Sequence, residues 1–190
     1  MNVEIINILD RSGSMEKLRT DTIGGLNGYL MEQRTLPGHA RATLILFNSE
    51  IETVYEGVNI AHLGNLTQAQ YVTIGSTALA DAIGMTFMKQ GERIAREAWT
   101  DKVIVNIFTD GEENASRKFT VEGAKALIKL YEDDKGWAVL FQGAGIDAFK
   151  AAETFGISGA NTRGVAASSA GVAEAYGNMS MYSTSIRTGA

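Results

Sequence analysis

Three oxygen-bearing side chains crowd the stretch Ile8-Leu9-Asp10-Arg11-Ser12-Gly13-Ser14-Met15, where an apolar run from Val3 to Leu9 stops at a carboxylate. Asp10, Ser12 and Ser14 at a strand's end have nothing apolar to pack against. They offer hard oxygen atoms, which suit Mg²⁺, Mn²⁺ or Ca²⁺ and suit zinc or copper poorly. Gly13 lets the loop turn sharply enough for Ser12 and Ser14 to point the same way. A helix N-terminus explains the same residues, because Asp10, Ser12 or Ser14 would cap the helix that follows. By itself the stretch leaves a cap and a metal site equally open.

Two further stretches bear on that choice. Gly75-Ser76-Thr77 precedes a long helical pattern, and Phe108-Thr109-Asp110-Gly111 closes a second apolar run, Val103 to Phe108. Each sets an oxygen donor at a loop edge, and a parallel sheet can bring the ends of its strands together. On these residues the chain resembles the von Willebrand factor type A (vWA) domain family. Asp10-x-Ser12-x-Ser14, Thr77 and Asp110 match, in order and in type, the family's metal-ion-dependent adhesion site (MIDAS). The resemblance runs from the first strand to about Gly156.

That resemblance implies Ser12, Ser14 and Thr77 as direct ligands of a divalent ion, with Asp10 and Asp110 direct or water-bridged. The ion is Mg²⁺ by default, with Mn²⁺ or Ca²⁺ as alternatives. It also implies a protein partner whose Asp or Glu completes the coordination. Only Asp10 and Asp110 carry charge in such a shell, so the ion is under-neutralised and keeps water that an outside carboxylate can replace. The chain is more similar to the stand-alone bacterial and phage members than to the secreted adhesive ones. The implied role is an intracellular adaptor or assembly function beside an ATPase, a chelatase or a stress-response complex.

Composition narrows the setting. At 190 residues and 45% apolar content, the chain suits one domain with a buried core. A net charge of -5, from 17 basic and 22 acidic residues without a basic block, argues against general nucleic-acid binding. The absence of cysteine excludes disulfide and thiol chemistry and permits a reducing compartment. The chain starts on a strand, with no charged leader and no apolar run of membrane-spanning length. The expectation is a cytoplasmic domain without membrane attachment.

The elements that must position the five donors follow from periodicity. Val3 to Leu9 reads as a strand covered on both faces, and Glu16 to about Arg34 as a helix with Ile23, Leu26 and Leu30 inward. Gly24, Gly25 and Gly28 within it predict close packing against the sheet. Leu36-Pro37-Gly38 ends that helix. Ala42 to Phe47 and Ile51 to Tyr55 form a hairpin around Asn48-Ser49-Glu50, placing one antiparallel strand in an otherwise parallel sheet. A helix from about Ala78 to Glu97, a strand from Val103 to Phe108 and a helix from Val121 to Tyr131 follow. Trp137 to Phe141 is a further strand, and Asp147 is a candidate N-cap for a helix to Phe155. Val165 to Ala175 reads as a small-residue helix. The domain is drawn as 1–177, with a loose tail over 178–190. The fold class is a doubly wound α/β sheet with helices on both faces. In such sheets sites form beyond the carboxyl ends of the strands, where Asp10 and Asp110 both stand.

Neighbouring residues carry two readings each. Arg11 either steers an acidic partner or is a solvated surface arginine. Glu112, Glu113 and Asn114 are read first as a polar loop and second as rim or outer ligands. Asp81, one turn into its helix, benefits from the helix dipole, with a supporting role at the metal as the weaker reading. Met15 is a packing residue, and His39 and His62 are surface or turn residues.

Catalysis is the minority reading. A metal-dependent hydrolase of phosphate esters with Asp10 as nucleophile needs a second carboxylate two residues on, and Ser12 stands there. Ser12 and Ser14 lack the Gly-x-Ser-x-Gly frame of a serine hydrolase. Gly143-Ala144-Gly145, with Ala148 in the third glycine's place, is a weak dinucleotide-loop match. A metal-free structural or assembly subunit is the remaining alternative.

Overall fold

The computed structural model describes residues 1–189. A first strand, β1 (Asn2–Asp10), leads through a 3-10 turn, Gly13–Leu18, into α1 (Arg19–Thr35). The hairpin β2 (His39–Phe47) and β3 (Ile51–Asn59) is followed by a long loop to α2 (Leu79–Glu97). Then come β4 (Lys102–Thr109), α3 (Val121–Lys135), β5 (Ala138–Ala144) and α4 (Ala148–Thr154). The chain closes with β6 (Thr162–Val165) and α5 (Ser169–Thr188). The sheet order is β3-β2-β1-β4-β5-β6, with every pair parallel except β2 and β3. This is the expected doubly wound sheet with one antiparallel edge strand.

β1 is buried from Val3 to Asp10 because both faces of the sheet are covered. Ile5 and Leu9 join a core with Leu26 and Leu30 of α1 and Val172, Tyr176 and Met179 of α5. Ile6 and Ile8 turn the other way, into a core with Ile83 and Phe87 of α2, Ile128 of α3 and Phe155 beyond α4. Strand order reverses between β1 and β4, since the chain first builds outward to β3 and then crosses to the other side of β1. That reversal opens a crevice above the carboxyl ends of β1 and β4.

Several expectations change. Gly25 faces the ring of Tyr176 on α5 rather than the sheet: a Cβ there would lie 2.1 Å from Tyr176 Cδ2, while Gly24 and Gly28 have open space. The segment Thr162–Val165 is a sixth strand, in register with β5 from Phe141↔Thr162 to Ala144↔Val165; it takes Val165, the first residue of the helix expected to Ala175, and that helix begins at Ser169 instead. The residues expected as a loose tail continue α5 to Thr188, with Met179, Ser183 and Arg187 buried. Ser168 caps that helix by accepting from the Gly171 amide, and Gly189 ends it in the left-handed conformation. Ala190, the last residue of the expected tail, lies outside the described residues.

Candidate metal centre

The register of the two central strands decides what meets at the crevice. Leu9 lies opposite Phe108, so Asp10 stands beside Thr109 and Asp110 follows one residue beyond. The Thr109 hydroxyl donates to Asp10 Oδ2 at 2.5 Å, and the Ser12 amide donates to Asp10 Oδ1 at 2.6 Å. Asp10 is fully buried and Ser12 nearly so, while Ser14 is exposed. Ser12 Oγ and Ser14 Oγ are 3.1 Å apart, and Ser14 Oγ donates to Asp110 Oδ1 at 2.7 Å. Four of the five expected donors, from two loops far apart in sequence, thus form one connected cluster.

The fifth, Thr77, arrives on the loop before α2. This loop is fastened to the Asp10 loop by backbone bonds, with the Gly13 amide donating to Gly75 C=O at 3.0 Å and the Ile74 amide to Arg11 C=O at 2.9 Å. It is fastened to the Asp110 loop by Asn114, whose Oδ1 accepts from the Thr77 amide and whose amide donates to Thr77 C=O, both at 3.0 Å. Gly111 lets the two loops approach, because a Cβ at that position would sit 2.7 Å from Thr77 Oγ1. Thr77 is buried within this junction.

Burial pushes the Asp10 carboxyl up to about 6, against the hydrogen bonds from Thr109 and Ser12, and the charge of Asp110 adds to the rise. Burial also raises Asp110, opposed by the Ser14 hydrogen bond and by Lys17. Among the described residues neither carboxylate forms an ion pair with Lys, Arg or His. A buried and a half-buried carboxylate with the hydroxyls of Ser12 and Ser14 make an all-oxygen cluster whose chemistry fits a hard divalent ion, and the Thr77 hydroxyl stands on the adjoining loop against Gly111. Among the described residues there is no group of three or more His, Cys, Asp and Glu in metal-binding arrangement.

The neighbouring residues resolve into supports. Glu113 Oε2 accepts from the Ala80 amide at 2.6 Å and so caps α2, whose own N-cap position, Ala78, has no side-chain donor or acceptor to offer. Asp81 accepts from the amides of Arg117, Lys118 and Phe119 at 2.7–2.9 Å and so holds the loop before α3. Arg11 is neither solvated nor aimed at the cluster: it pairs with Glu52 of β3 at 2.5 Å, with 12% of its side chain exposed. Met15 is buried, as expected of a packing residue, and both histidines are exposed.

Sequence reasoning missed Thr109, Tyr71 and Asn48 as parts of the site. Thr109 carried a signal, a hydroxyl at the last position of a buried strand. Tyr71 carried none; its hydroxyl donates to Asp10 C=O from a loop 61 residues away. Asn48 was read only as a turn residue. It does hold the hairpin, accepting from the Glu50 amide, and it also clamps the Thr77 loop through Nδ2 to Ile74 C=O at 2.8 Å and its own C=O to the Ala78 amide at 2.9 Å.

No protein-family model and no curated protein matches this sequence. Solved structures do match its fold. The vWF domain of the type V pili tip protein from Porphyromonas gingivalis superposes with a TM-score of 0.70 at 10% identity, over 97% of this chain and 96% of that one. Proximal thread matrix protein 1 from the mussel byssus, with a zinc-occupied MIDAS motif, gives 0.64 at 16% identity, over 96% and 46%. The manganese-loaded TRAP protein of Plasmodium vivax gives 0.54 at 18% identity, over 75% and 57%. This chain spans less than half the length of the mussel chains it matches. At these identities the likeness establishes the fold, a vWA-like α/β sheet, and its structural neighbours are vWA domains.

Proposed function

We propose that this chain is a protein-binding module whose grip depends on a divalent ion held by Asp10, Ser12, Ser14, Thr77 and Asp110. The observation that carries the reading is the hydrogen-bonded line Ser12–Ser14–Asp110 beside the buried, unpaired carboxylate of Asp10. Such a cluster is a costly arrangement without a cation and a natural one around it. When bound, the ion supplies a positive centre whose outer position accepts a carboxylate from a partner protein. Thr109 and the Ser12 amide aim Asp10; Asn114 and Gly111 place Thr77. Mg²⁺ is the proposed ion, with Mn²⁺ or Ca²⁺ able to replace it. Zinc belongs in the same comparison because the mussel neighbour holds it in its MIDAS. An adaptor or assembly role is the corresponding biological setting. Hydrolysis is disfavoured because Ser12, in the place of an acid/base carboxylate, is engaged with Ser14.

Calorimetric titration of Mg²⁺ and Mn²⁺ into chelator-treated protein tests this. Saturable binding is expected, weakened more than about a hundredfold by Asp10→Ala and by Thr77→Ala, beyond the usual loss for an outer-shell group. No heat at about millimolar ion, with or without added acetate, would remove the metal from the account. Gly111→Ala provides a second prediction, since its new methyl group displaces Thr77 Oγ1 without deleting any donor. A roughly tenfold weaker Mg²⁺ isotherm with an unchanged far-UV spectrum is expected. An affinity equal to wild type would show that Thr77 is not a ligand.

A further inference from the structure

Arg11 has no part in the metal site described so far, although it stands between two of its donors, Asp10 and Ser12. Its main chain is fixed from both sides. The Arg11 amide donates to Phe47 C=O at 2.7 Å, and its C=O accepts from the Ile74 amide at 2.9 Å. Only the side chain can change partner, and the one it has is distant. Glu52 lies opposite Leu46 on the edge strand β3, so the Arg11 side chain crosses β2 to reach it. The Glu52 side chain is 52% exposed and holds Arg11 through one oxygen only. Nε of Arg11 is buried and has no partner among the described residues.

An arginine next to carboxylates ordinarily pairs with them, because its planar guanidinium matches the two oxygens. Among the described residues Asp10 and Asp110 have no such partner. A guanidinium turned into the oxygen cluster would neutralise the carboxylates and repel an approaching cation. The single contact with Glu52 is what points it the other way.

We propose that Glu52 is a positioning residue of the metal site, acting by holding Arg11 out of the oxygen cluster. Arg11 is then a built-in competitor of the ion, silenced by its pairing with the edge strand. This rests on the metal-dependent reading above and adds the residue that keeps the site open. A site open for only a fraction of the time binds with an affinity lowered by that fraction.

The test titrates Mg²⁺ into the chelator-treated full chain as wild type, Glu52→Gln, Arg11→Gln and the double variant, with urea midpoints confirming that each is folded. Glu52→Gln is expected to weaken the isotherm about tenfold, the loss when the guanidinium fills the cluster about nine times in ten. Adding Arg11→Gln is expected to restore affinity to within about threefold of wild type, a coupling that independent sites do not show. A contact that merely braces the loop predicts instead that both single variants and the double are equally weak. That result overturns the proposal and leaves the metal reading standing, as does wild-type affinity in Glu52→Gln. The second readout is the Nε–Hε magnetic resonance signal of Arg11, assigned by its loss in Arg11→Gln. It is expected to move when Mg²⁺ is added to Glu52→Gln and to stay in place in wild type; a signal that stays in place in both also overturns the proposal. A flat wild-type isotherm overturns the metal reading itself, and this inference with it.

Discussion

Arg93→Ala is expected to lower stability by about 3–5 kcal/mol, the usual loss when one member of a buried ion pair is removed. Glu4 stands on β1 with no exposed surface, and Arg93 reaches it from α2 at 2.6 Å. Thr43 donates to the same carboxylate oxygen at 2.9 Å, and the other oxygen has no partner among the described residues. The guanidinium is itself held by Gln90 at 2.8 Å, and Gly57 makes room for it, since a Cβ there would lie 2.6 Å from Arg93 Nη1. Alanine removes all of this and strands a carboxylate inside the fold.

The loss has a definite pH dependence. Burial already raises the Glu4 carboxyl above its ordinary 4.5, and Arg93 is the strongest influence pulling it back. Without Arg93 the folded-state value rises further. A raised carboxyl favours the protonated native state, so its contribution is present below the unfolded value and is lost as pH rises through the folded one. The deficit of Arg93→Ala should therefore be smallest in acid and grow toward neutral pH. Urea unfolding of both proteins across that range measures it, and a deficit that is flat or shrinks as pH rises would contradict the argument. The double replacement Glu4→Leu/Arg93→Met, which removes both charges, is expected to lose less than Arg93→Ala alone.

Ending the chain at Gly177 is the second large effect. The deleted part of α5 carries Met179 into the core and Ser183 onto the hydroxyl of Tyr29 at 2.6 Å. It also carries Arg187 onto the C=O of Gln33 at 2.6 Å. Tyr29 in turn accepts from Asn106, at the centre of β4, at 3.1 Å. Removing a buried methionine side chain costs about 2–5 kcal/mol, and each stranded buried polar group about 1–3 more. The sum is comparable with the whole margin of a typical domain. The truncated chain is expected to lose its cooperative urea transition and its near-UV circular dichroism. An unchanged midpoint would mean that these residues behave as the loose tail their composition describes.

Where the sequence failed, long-range partners made up for weak local signals. β6 has exposed residues at two of its four positions, so no apolar run announces it; pairing with β5 makes it a strand. The last turns of α5 are rich in Ser, Thr and Met and show no clear apolar face, and Tyr29 and Gln33 hold them in place. α2 lacks a local cap because Glu113 supplies one from across the crevice. Gly25 was legible as a close contact, but the contact is Tyr176 rather than the sheet.

The donor types, their places at strand ends and the alternation of strands with helices were determined by the sequence itself, because residue chemistry and periodicity are local properties. Which of those ends stand side by side was decided by the tertiary structure. Asp10 meets Thr109 across 99 residues and Ser14 meets Asp110 across 96, and both contacts follow from the parallel pairing of β1 with β4. That pairing is a property of sheet order. It emerges only when both faces of β1 are buried at once, so no window of the sequence contains it.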